Sequence, residues 1–384
     1  MTTAKTVTTA AGALTLGLMS SLGAAEARQL NFAVGHPPGA MLVQAAEKYA
    51  DVLAEETDGE LSVRVFPGSL LSMQETSSGL RDGMADIGTI MTTYFEAEFP
   101  HSNLILESSM MLQLLGDAVD GREGITIAAA MTEYLMLKCP ECLEEFSGQN
   151  QVYTGGTGTP GYSLGCTSPV DDEASIEGKR LRIGGANWAR WSDHVGANPV
   201  TMSGNEMLEA LDQGALDCVI LSISDIANFR LYESLSDITV AMPGGVYVGQ
   251  LAQVNADAWQ SLNREHRTAI LRASAAGAAE GSMLYQEGQE TFIADAETKG
   301  ITIREPSEGL SSLTREFVRE DLDQMAANFS SRHGVERGAE MLDEFRDLLE
   351  EWAERVQGVT TSDELAELYW EHIMSQVDVD EYGL

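Results

Sequence analysis

The sequence has 384 residues, 43% of them hydrophobic, enough for two domains with their own cores. Sixty acidic residues against 23 basic ones give a formal charge of −37. That balance excludes nucleic-acid binding, which needs a basic footprint, and docking onto an anionic lipid surface.

Residues 1–27 read as a secretory signal peptide. Lys5 supplies the positive n-region, an apolar stretch runs from Ala10 to Ala25, and Ala25-Glu26-Ala27 offers a cleavage site. No cysteine stands there to carry a lipid, and no later run is apolar enough to span a bilayer. The mature chain is expected to begin near Arg28 and to be periplasmic.

Leu30 to Val34 predicts a short strand that ends in a Gly-His-Pro-Pro-Gly loop. Leu42, Ala45, Ala46, Tyr49, Ala50 and Leu53 then recur at helical spacing, and Thr57-Asp58-Gly59 stops that helix. Leu61 to Phe66 alternates as a strand, Met73 to Gly83 reads as a helix, and Ala85 to Ile90 as a buried strand. The same rhythm returns with strands at 180–183, 199–202 and 217–222 and helices between them, which predicts α/β units on parallel sheets. Glycine-rich 155–161 and Pro243-Gly244-Gly245 are the expected crossings between two such units. A long helix is expected from Asn255 to about Lys299, followed by a charged amphipathic helical tail broken at Gly334 and at 358–361.

Four cysteines, Cys139, Cys142, Cys166 and Cys218, are disulfide candidates in an exported chain, and three pairings are open to them. Cys139-Pro140-Glu141-Cys142 has a CxxC form but ends a helical run instead of following a strand, so a structural bridge is expected over redox catalysis. No second CxxC or spaced histidine pair suggests a metal site.

The stretch Asp58 to Gly68 and the helix end Gly79-Leu80-Arg81-Asp82-Gly83-Met84-Ala85-Asp86 resemble early segments of a known family. The central block is more specific: Ile176-Glu177-Gly178-Lys179-Arg180-Leu181-Arg182-Ile183, then Val195 to Val200, then Glu206 to Asp217. With Asn255 to Leu262, these pieces in this order are similar to the binding proteins of TRAP (tripartite ATP-independent periplasmic) transporters of the C4-dicarboxylate type. The resemblance implies a two-lobe, hinged α/β periplasmic binding protein of type II-like architecture, with a long connecting helix and a helical C-terminal tail. Lobe I is expected to comprise 28–155 plus 246–285, and lobe II 156–245 plus 286–384.

The family's key arginine maps to Arg182. A guanidinium presents a planar fork of donors that matches a carboxylate and stays charged at any relevant pH. Arg180 and Lys179 are expected to be surface charges. Where many members carry a second basic residue, about twenty positions earlier, this chain reads Gly161-Tyr162-Ser163-Leu164-Gly165-Cys166, so a dicarboxylate needing two strong cations is not expected. Tyr162 offers a hydrogen-bonding or stacking surface instead. The remaining ligand candidates sit in loops and turns beyond the strands: His36, Gln74, Tyr94, Asn187, Trp188, Ser222, Asp225 and Tyr247. Asp225 facing a ligand favours a hydroxylated or cationic group; capping a helix, it says nothing of the substrate.

The function so implied is an extracytoplasmic solute-binding subunit that closes over a small organic anion, a hydroxylated carboxylate such as a sugar acid, and delivers it to the membrane permease. The alternatives are an exported carboxylate-processing enzyme and a ligand-sensing protein. The sequence holds no HExxH or phosphate loop for an enzyme to use, and no cofactor is expected. A monomer is expected, with a dimer through the C-terminal helices as the other reading.

Overall fold

The structure is a computed structural model that describes residues 1–4 and 27–384. The expected signal peptide rests on residues 5–26 and lies outside the described residues. No described helix is long and apolar enough to cross a membrane.

The strands are short, two to eight residues each. In chain order they are β1 (Arg28–Val34), β2 (Leu61–Pro67), β3 (Ile87–Ile90), β4 (Gln151–Val152), β5 (Gly156–Gly158) and β6 (Ser163–Cys166). There follow β7 (Arg180–Ile183), β8 (Asn198–Thr201), β9 (Cys218–Leu221), β10 (Asp237–Thr239), β11 (Val248–Asn255) and β12 (Thr302–Arg304). They form two six-stranded sheets. The first has the order β2-β1-β3-β11-β4, with β5 also on β11; the second has the order β12-β10-β6-β9-β7-β8.

Both sheets are mixed, not wholly parallel as the repeating pattern predicts. Within each lobe the strand–helix–strand units give parallel pairs, β1 with β2 and β3, and β7 with β8 and β9. Two strands that arrive from the other lobe run the opposite way: β11 is antiparallel to β3, and β6 to β9, whereas β12 runs parallel to β10.

The chain crosses between sheets at 159–162 and again at 240–247, within or beside both glycine-rich segments singled out above. The long helix Arg264–Asp295 makes the third crossing, from the first lobe to β12 of the second. It lies close against the helix Met41–Glu56 because Gly277 and Gly281 leave room. A Cβ at Gly277 would stand 3.1 Å from the carbonyl of Ala45, and one at Gly281 2.7 Å from Thr157 Oγ1.

The tail differs from the division expected. Residues 286–384 are not all part of the second lobe: after β12 the chain turns back over the first. The helix Glu308–His333 lies against both lobes, touching Ala186–His194 on one side and Pro100–Glu107 on the other. Helix Gly338–Arg355 packs on Glu123–Glu133, and Ser362–His372 on the long helix. The reason is apolar cover. Met341, Phe345, Leu348, Leu349 and Trp352 form one face that the first lobe buries, and Trp352 Nε1 donates to Glu133 at 2.8 Å.

The cysteines pair as Cys139–Cys142 and Cys166–Cys218. The first bridge is buried, in keeping with a structural role. The second joins facing residues of β6 and β9.

Candidate ligand site between the lobes

Four strand ends converge on one cavity, as expected where α/β sheets face each other across their carboxyl ends. His36 follows β1, Thr93 and Tyr94 follow β3, Arg182 ends β7, and Asp225 opens the short helix after β9. Tyr162 and Tyr247 come from the two crossings, and Tyr285 reaches in from the long helix. The space free of protein atoms is about 560 Å³, part of it continuous with the cleft mouth.

Arg182 is 5% exposed. Its Nε donates to the carbonyl of Met202 and its Nη2 to the Tyr94 hydroxyl, both at 3.1 Å, so two of the five N–H groups of a guanidinium are engaged. Among the described residues no carboxylate lies within salt-bridge distance of it. Gly184 leaves its fork clear, since a Cβ there would sit 3.1 Å from Nη1. Arg180, by contrast, is half exposed and paired with Asp217 at 2.7 Å, a surface charge as expected.

The lobes meet around this group. Tyr94, from the first lobe, also accepts the backbone N–H of Gly204 in the second at 3.1 Å. Asn205 Nδ2 donates to the carbonyl of Gly35 at 3.3 Å, and the Met41 N–H to Asn228 Oδ1 at 3.3 Å. These three bonds join the two lobes across the cleft.

Opposite signs of charge share the cavity. Asp225 is buried; burial pushes its carboxyl above the ordinary range, against hydrogen bonds from Asn228, Ser222 and Tyr285 that pull it down. His36 is buried beside Phe229, its Nδ1 without a partner, and burial lowers its pKa to about 4. The Tyr247 hydroxyl and Thr93 Oγ1 are also buried and unpartnered. Desolvation raises the pKa of Tyr162, Tyr247 and Tyr285 alike, so each enters the cavity as a neutral phenol.

Of the ten candidates, Arg182, Tyr162, Tyr94, His36, Asp225 and Tyr247 line the cavity. The other four do not. Trp188 lies behind Tyr162, stacked at 4.4 Å between ring centres, with its Nε1 donating to the carbonyl of Gly244 at 3.0 Å. Asn187 is buried outside the lining. Gln74 is exposed in the outer cleft. Ser222 caps the helix after β9 and donates to Asp225 at 2.8 Å. Tyr285, the polar side chains of Thr93, Thr157 and Thr159, and an apolar wall of Leu42, Met73, Met91, Met207, Leu221 and Phe229 add to the lining. No local motif marks them, because an inward tyrosine on a long buried helix has the same spacing as a core residue.

His36 gives the first prediction. The folded state refuses a proton that the unfolded chain takes up below pH 6.5, so this contribution is present above 6.5 and lost as pH falls toward 4. Relative to His36→Phe, the wild type should lose about 2 kcal/mol of unfolding free energy between pH 7.5 and 5. Urea titrations of both proteins at the two pH values measure this, and parallel pH profiles would contradict it.

The profile of the family described as DctP, bacterial extracellular solute-binding protein family 7, matches residues 32–328. A marine metagenome TRAP solute-binding protein specific for aromatic acid ligands, solved with 3-hydroxybenzoate, superposes with a TM-score of 0.72 at 19% identity over 85% of this chain and 99% of that one. DctP7, a Bordetella pertussis extracytoplasmic solute receptor binding pyroglutamic acid, gives 0.68 at 20% identity over 83% of this chain and 100% of its own. In sequence, the 2,3-diketo-L-gulonate-binding periplasmic protein YiaO of Escherichia coli K12 is 24% identical over 293 residues, 73% of this chain and 84% of that protein. With two α/β lobes, three crossings and a family match spanning most of its length, the chain belongs to bacterial extracellular solute-binding protein family 7, DctP, and is an extracytoplasmic solute receptor of the TRAP class.

Proposed function

We propose that this receptor captures a small organic acid in the interlobe cavity and presents the closed form to a TRAP membrane permease. The free edge of Arg182 takes the ligand carboxylate, and Asp225 receives a hydrogen-bond donor at the far end. The observation that carries this reading is that Arg182 is a buried cation with no carboxylate of the described residues within salt-bridge distance. Burying an unpaired charge is costly, and a ligand carboxylate removes that cost.

The wall bears on the body of the ligand. Six apolar side chains face the cavity beside three threonines, so an aliphatic or aromatic body with a few polar groups fits them better than a hydroxyl on every carbon. Each sugar hydroxyl left facing such a wall would forfeit about 1–3 kcal/mol. This narrows the sugar-acid expectation to an acid with few polar groups. The ligands named for the relatives above are all carboxylic acids, which supports the anchor without choosing the body.

Calorimetric titration of residues 28–384 with 3-hydroxybenzoate, mandelate, pyroglutamate and glucuronate tests the reading. One of the first three should bind, with no product formed on long incubation, and Arg182→Ala should lose it. Tightest binding of glucuronate would return the body to a sugar acid. Binding indifferent to Arg182→Ala would sink the anchor itself.

A further inference from the structure

We propose that the ligand is a zwitterion, an organic acid whose far end carries a positively charged nitrogen held by Asp225 and the aromatic rings around it. This rests on the reading of Arg182 as the carboxylate anchor.

The hydrogen bonds of Asp225 define its ionic form. Asn228 Nδ2, which can only donate, reaches Oδ1 at 2.8 Å. The Tyr285 hydroxyl donates to the same oxygen at 3.0 Å, while accepting from Asn228 at 3.5 Å. Ser222 Oγ accepts the Asp225 N–H at 3.2 Å and donates to Oδ2 at 2.8 Å. All three neighbours can thus donate to the carboxyl group, and Asn228 Nδ2 can do nothing else. That pattern suits a carboxylate. No cation of the described residues lies within salt-bridge distance of it, and Arg182 acts on it only across the cavity, so the cavity holds one charge of each sign without a direct ion pair.

A plain monoanion would satisfy Arg182 and leave Asp225 as a buried, uncompensated negative charge. A zwitterion satisfies both. The surroundings of Asp225 suit a cation: Tyr162, Phe229, Tyr247 and Tyr285 also line the cavity, and Trp188 stacked behind Tyr162 fixes that ring. Aromatic faces attract ammonium groups through the ring quadrupole, and several together with a carboxylate form a cage for them. The charge of the whole chain agrees. At −37 the protein repels an approaching anion, whereas a zwitterion carries no net charge to be repelled.

The experiment is calorimetry of residues 28–384 against matched pairs that differ only in the far group. These are 4-aminobutyrate with 4-hydroxybutyrate, and 3-(aminomethyl)benzoate with 3-(hydroxymethyl)benzoate. In a pair that binds, the charged-nitrogen member should be tighter by about tenfold or more, and Asp225→Asn should erase that preference. If the uncharged partners bind as well or better in the wild type, and Arg182→Ala still abolishes them, the zwitterion is wrong and the carboxylate anchor stands. If no member of any pair binds, or binding ignores Arg182→Ala, both readings fall together. The wild-type comparison decides the matter even if Asp225→Asn does not fold.

Discussion

Arg182→Ala should raise the ligand Kd by two to three orders of magnitude while leaving the unliganded protein at least as stable as before. The first half follows from the fork. A bidentate, charge-assisted pair in a closed cavity is worth about 3–4 kcal/mol, and each 1.4 kcal/mol is tenfold in Kd. The second half follows from what Arg182 does without ligand: it is 5% exposed and bonded only to the neutral oxygens of Met202 and Tyr94. Removing an unpaired buried cation removes its desolvation cost, so the site loses function without losing stability. Arg182→Lys keeps the charge but not the planar fork, and should fall between the two. Calorimetry and urea unfolding on the same preparations give both numbers. A variant that loses binding only in step with lost stability would show Arg182 to be a structural residue.

The second large effect is expected far from the cavity. Arg190, on helix Ala186–His194 of the second lobe, donates to Glu107 of the first lobe at 2.8 Å and to both oxygens of Asp321 on the tail helix at 2.6 and 2.9 Å. Three parts of the molecule are thus tied by one guanidinium. Burial pushes the Glu107 carboxyl up to about 7 even though Arg190 pulls it down, with Glu96 and Asp321 adding repulsion. Glu96 in turn is bonded to His333 at 2.9 Å. Taking Arg190 away leaves that acid buried without its cation, which should cost about 3–5 kcal/mol in Arg190→Ala. The pH dependence has a definite sign. A raised folded-state pKa is a contribution in hand below the unfolded value near 4.5 and lost as pH climbs through 7, so the deficit should be larger at pH 8 than at pH 6. Glu107→Gln added to Arg190→Ala should recover much of the loss at pH 8. A deficit equal at both pH values and untouched by Glu107→Gln would mean that the knot contributes packing alone.

Much of this architecture can be read from residues. The strand ends announce themselves as apolar runs cut by glycine, and β7 to β9 fall where the central block places them, which puts Arg182 at a strand end. His36, Tyr94 and Asp225 are legible for the same reason: a polar residue just beyond a strand in an α/β lobe points at the facing lobe. Trp188 shows the limit. An aromatic residue on a helix beside the site can face the cavity or brace the residue that does, and sequence does not give the helix rotation. Tyr285 lies beyond that limit, because its partner Asp225 is sixty positions away and only the folded long helix brings them together. The tail is similar: its amphipathic pattern states that a face must be covered, not which lobe covers it.

The place of β11 has a consequence for the time course of folding. It sits at the centre of the first sheet, with Gln250 opposite Ile90 on one side and Val254 opposite Val152 on the other. Pairings so distant along the chain must close a large loop before they return any contact energy, and such topologies fold slowly. A chain emerging N-terminus first cannot complete its first lobe until residue 255 is free. For a receptor whose family works outside the cytoplasm, slow closure of the first sheet would leave the nascent polypeptide open for longer, a state compatible with passage across a membrane.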